Sequence, residues 1–115
     1  MYQAGYAEVL EDASATARSH ERQAFDRAIE LLALADKCGR RSREAIEALL
    51  FVTRLWDLLL QDLASSDNAL PVPLRANLIS IGIWVVKEAE RIRREESDNF
   101  AGLIQICDSI RSGLK

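Results

Sequence analysis

The sequence predicts an all-α protein: a small antiparallel bundle of about four helices with a short N-terminal arm or helix. Three observations carry this prediction. Apolar residues recur at three-and-four spacing in four stretches. No stretch alternates apolar and polar residues with the period of a strand. Turn chemistry at Gly39, Ser65 to Asn68 and Ser97 to Asn99 separates the stretches. With 115 residues, 49% of them hydrophobic and 29% charged, the chain is one domain, read as an arm over 1–17 and a bundle over 18–115. That size excludes an enzyme built from separate cofactor and substrate modules.

The arm, Met1 to about Thr16, has weak apolar patterning and reads as mobile or as a short helix. Tyr2 and Tyr6 are four residues apart and share a face if it is helical. The first strong helix is expected from about Ser19 to Cys38, where Phe25, Ile29 and Leu32 repeat and Gly39 supplies a left-handed stop. Ser42 then caps a second helix running to about Ala64, with Glu44 complementing the dipole. Its apolar positions, including Phe51, Leu55, Trp56 and Leu58, cover an arc of about 200°, wider than a surface helix needs. The third helix is expected to start at Pro71 or Pro73 and to run to about Glu96. Its N-terminal half should be buried nearly all round, and its Arg- and Glu-rich C-terminal half should project into water. Ser97 or Asp98 caps a last helix whose seam is Phe100, Leu103, Cys107, Ile110 and Leu114. Short connections favour antiparallel neighbours, with the second and third helices at the centre.

Chemical motifs are sparse. The formal charge of −3 offers no overall attraction to nucleic acid or an anionic membrane. The opening residues lack the pattern of a secretory leader, and no apolar run approaches the 20 or so residues of a membrane span. A cytoplasmic location is therefore expected. His20, the single imidazole, lies beside Glu21 and reads as solvated. Cys38 and Cys107 read as small buried hydrophobes. The chain contains no Glu-x-x-His and no Gly-rich phosphate loop. No catalytic residues, metal ligands or cofactor are predicted, and no enzyme. Arg40, Arg41 and Arg43 form a basic cluster in a connection, a candidate contact for phosphates or acidic side chains. Arg91, Arg93 and Arg94 are interleaved with glutamates and largely neutralised.

Asn68-Ala69-Leu70-Pro71, Leu74-Arg75-Ala76 and Ile79-Ser80-Ile81-Gly82-Ile83-Trp84-Val85 closely resemble the signature region of the flagellar biosynthesis regulator family FlaF of alphaproteobacteria. Met1-Tyr2-Gln3-Ala4 with Tyr6-Ala7-Glu8, Arg54-Leu55-Trp56, Asp98-Asn99-Phe100, Leu103-Ile104 and Ile110-Arg111-Ser112-Gly113-Leu114 extend the resemblance over essentially the whole chain. Val72-Pro73 departs from it, since an acidic residue is more usual after Pro71. The resemblance implies a cytoplasmic, non-enzymatic factor that acts after transcription in flagellin production, opposite the regulator FlbT. It also implies binding of flagellin as an export chaperone, comparable in role to FliS-type chaperones. No catalytic residues carry over.

The partners expected from this reading are flagellin first, then FlbT, and RNA through Arg40, Arg41 and Arg43. An amphipathic flagellin helix would lie in an apolar groove formed by Phe51, Leu55, Trp56 and Leu58, with Trp84. Tyr2 and Tyr6 are alternative contacts, their rings suiting a half-wet surface. Core packing is the competing reading for Trp56 and Trp84, and the same surface could make a dimer.

Overall fold

The computed structural model describes the backbone of residues 2–113 and the side chains of residues 20–113. Four helices follow in order: α1, Tyr2–Cys38; α2, Arg43–Ala64; α3, Val72–Arg93; α4, Phe100–Gly113. There is no strand among the described residues. The expected arm and first helix are one element. The stretch before Ser19 is poor in periodicity, yet rich in Ala and free of Pro, so propensity carries the helix where pattern does not. At about 1.5 Å per residue the 37 residues of α1 reach about 55 Å, matching the 57 Å long axis of the molecule. The side chains of Tyr2 and Tyr6 lie outside the described residues.

The ends of the helices show which local signals act. Gly39, at φ 95°, closes α1, its N–H donating to the Ala35 carbonyl at 2.8 Å. Ser42 caps α2 as expected, accepting the Ala45 N–H at 3.1 Å on its hydroxyl. Pro71 precedes α3, and Pro73 occupies its first turn, where a missing N–H costs little. α3 stops at Arg93, short of the expected Glu96, because Glu95 turns left-handed at φ 63°. The Glu96 N–H then reaches the Arg91 carbonyl at 2.8 Å, and the Glu95 N–H the Ile92 carbonyl at 3.0 Å. This is a Schellman closure with glutamate where glycine is usual. Asn99 caps α4, its Oδ1 accepting the Gly102 N–H at 3.0 Å, so the cap is neither Ser97 nor Asp98. Ser97 instead shapes the turn, its hydroxyl accepting the Asn99 N–H at 3.1 Å.

α1 packs against both α2 and α4, and α2 against both α1 and α3, while α3 and α4 barely approach each other. The central pair is therefore α1 and α2, not α2 and α3. The core joins Phe25, Ala28, Leu32 and Ala35 of α1 to Ala48, Val52 and Trp56 of α2, Val85 and Ile92 of α3, and Phe100, Leu103 and Cys107 of α4. Phe25 meets Trp56 edge to face at a centroid distance of 5.8 Å. Gly82 lets α3 come close to α2: a Cβ there would stand 2.7 Å from Leu60 Cδ2 and 3.0 Å from Trp56 Cε3. An ion pair from Arg111 to Asp26, at 3.1 Å, ties the end of α4 to α1.

Burial along α3 departs from the sequence expectation in its N-terminal half, where Val72 and Leu74 are exposed, as are Ile83 and Trp84 at mid-helix. In the C-terminal half Val85, Glu88, Ala89 and Ile92 are buried, while Arg91 and Arg93 face water as expected. The cause is the number of neighbours: α3 packs on α2 and only grazes α4, so side chains that α2 does not reach stay exposed.

Candidate partner-binding surface

The apolar arc of α2 is divided among three fates. Trp56 is 1% exposed and belongs to the core, so it is not on offer to a partner. Phe51 and Leu55 are half-buried against that core. Leu58 is 66% exposed and lies on the same helical face as both, three and seven residues on. Trp84, 41% exposed, is on α3 about 160° round from Gly82, which faces α2, so it does not complete a groove with Leu58. The five groove residues expected from the sequence therefore do not form one surface.

A concave surface exists elsewhere. A cleft of about 750 Å³ opens between the start of α2 and the end of α3, beneath the α1–α2 turn. Leu49, Leu50, Thr53 and Ala89 form its floor, Ile46 stands beside them, and Arg40, Arg41, Glu90, Arg93 and Glu95 form its rim. Ile46 is 63% and Leu50 49% exposed. Sequence reading passed over Ile46 and Leu50 because, at 100° per residue, they lie about 40° and 80° beyond the Leu60 edge of the expected arc, on the side read as facing water.

The basic cluster is drawn into this rim. Arg41 pairs with Glu95 at 2.5 Å across two turns distant in sequence, and Arg40 donates to the Ser97 carbonyl at 3.4 Å. Arg43 points elsewhere and pairs with Glu47 at 3.3 Å. The three arginines thus do not form one patch. Arg93 binds Glu90 through two nitrogens, and Arg94 shares the same carboxylate at 3.0 Å. Chiefly through the hydrogen bonds from Arg93, the Glu90 carboxyl is held down at about 2.

No reactive constellation appears among the described residues. His20 is exposed, and among the described residues no three His, Cys, Asp or Glu side chains are grouped to hold a metal ion. Cys107 is buried as expected, but Cys38 is exposed because it falls in the last turn of α1, away from the core stripe. Burial pushes the Cys107 thiol up to about 11, with the Trp56 indole acting in the opposite sense. The Trp56 Nε1–H is itself buried without a well-formed hydrogen bond. Among the described residues no helix is long and apolar enough to cross a membrane.

Residues 2–114 match the protein family described as Flagellar protein FlaF. No curated protein and no solved structure matches the chain.

Proposed function

Because the chain belongs to the FlaF family of flagellar proteins, we propose that it is a cytoplasmic export chaperone that binds flagellin and so regulates flagellin synthesis after transcription. The observation behind this reading is the surplus of apolar surface: Ile46, Leu50 and Leu58 of α2 and Val72, Leu74, Ile83 and Trp84 of α3 all stand exposed. Helices of an assembling filament carry an apolar face that needs cover until secretion, and a helical surface with unburied Leu and Ile offers it. The reading assigns no reaction to the protein.

Co-elution tests it. Purified protein is mixed in turn with flagellin, FlbT and the flagellin message leader, and a stable complex with flagellin is expected. A shift by the message leader alone, or by FlbT alone, would replace the chaperone reading with an RNA-level or adaptor role. Leu50→Asp and Leu58→Asp, each checked for native helicity, locate the contact. If Leu58→Asp retains flagellin at full strength, the face of Phe51, Leu55 and Leu58 is not the contact.

A further inference from the structure

The cleft between α2 and α3 has a chemical character that the exposed apolar residues elsewhere lack. Its floor is aliphatic apart from Thr53, and its rim holds more guanidinium than carboxylate, in a chain whose formal charge is −3. Arg93 and Arg94 share the single carboxylate of Glu90. Among the described residues Arg40, half-buried, has only a main-chain carbonyl as its partner, and that bond is long at 3.4 Å. Arg41 alone has its own carboxylate, from Glu95. Glu95 holds that position from a left-handed backbone that a glutamate adopts at a cost, at the step of the closure where glycine fits without strain.

We propose that this cleft receives an amphipathic helix whose apolar face covers Ile46 and Leu50 and whose flanking acidic side chains bind Arg40 and Arg41, displacing Glu95. Glu95 is then a resident carboxylate that occupies the site when no partner is bound. A helix fits because the lining residues Ile46, Leu50 and Thr53 are spaced by four and three along α2, which matches the spacing of side chains on an opposing helix. Acidic flanks fit because the rim's uncompensated charge is positive. The proposal rests on the chaperone reading only for the identity of the partner, not for the chemistry of the cleft.

Three synthetic helical peptides test it by calorimetry on the full chain: one with a leucine face flanked by glutamates, the same with glutamines, and the same with lysines. The glutamate peptide is expected to bind about tenfold tighter than the glutamine one, an advantage that shrinks as salt rises. Leu50→Asp should lose both. Arg40→Glu combined with Arg41→Glu should shift preference to the lysine peptide, and the Gln pair should erase preference without reversing it. Glu95→Gly, which frees Arg41, should tighten the glutamate peptide several-fold. Equal binding of the glutamate and glutamine peptides, full binding by Leu50→Asp, or no binding of any peptide would overturn the assignment. Weakening by Glu95→Gly would overturn the role given to Glu95. If flagellin fails to co-elute while the glutamate peptide binds, the flagellin reading falls and the cleft stands. If flagellin binds the double Glu variant as well as wild type, the reverse holds.

Discussion

Replacing Gly82 by Ala sets two known effects against each other. Ala in place of Gly in a helix interior stabilises by about 1 kcal/mol. At this site the new Cβ would stand 2.7 Å from Leu60 Cδ2, 3.0 Å from Leu60 Cγ and 3.0 Å from Trp56 Cε3. Leu60 is half-buried and can rotate away, but Trp56 is 1% exposed and packed on the Phe25 ring, so its indole has little room to yield. Overpacking of this kind costs about 1–3 kcal/mol. The net expectation is a loss of about 1 kcal/mol, or a melting temperature lower by about 4 °C for a domain of this size. Thermal unfolding followed by circular dichroism measures it, and the Trp fluorescence of the native state should shift because Trp56 is the ring displaced. Gly113→Ala is the control: nothing lies within 4 Å of a Cβ there, so that change should be neutral or stabilising. If Gly82→Ala raises the melting temperature as the control does, α3 does not approach α2 as described and the packing argument fails.

Four further outcomes are expected. Asn99→Ala removes the only side-chain cap of α4 and should cost about 1 kcal/mol, whereas Asp98→Ala should change stability little; urea midpoints compare them. In native protein one thiol, Cys38, should react rapidly with an aromatic disulfide reagent, and Cys107 only on unfolding. Because the folded Cys107 thiol is raised from the usual 9.0 to about 11, its neutral form contributes stability below pH 9 that is lost as pH rises toward 11. Glu90 has the opposite sign. Its folded value is depressed from 4.5 to about 2, so its pairing with Arg93 and Arg94 contributes stability above pH 4.5 that is lost as pH falls toward 2. Glu90→Gln should flatten the pH dependence of the unfolding midpoint in that window.

Local chemistry and periodicity were enough, from the sequence by itself, to determine the helical class, the Gly39 stop, the Ser42 cap, the end of α2 at Ala64 and the burial of Phe25, Phe100, Leu103 and Cys107. These depend on interactions within one or two turns, or on a narrow apolar stripe that any packing must cover. The FlaF membership was likewise legible, in motifs spread over the chain. Only the tertiary structure decided which flank of a broad arc meets a neighbour. It sent Trp56 inward, left Leu58 outside, and exposed the apolar start of α3 while burying Val85, Ala89 and Ile92 toward its end. Those outcomes follow from the packing of α3 on α2 with little contact to α4, and from the close approach that Gly82 permits between α2 and α3. Neither quantity is written in the spacing of any single helix, because burial is a property of pairs of surfaces and a sequence pattern describes one surface at a time.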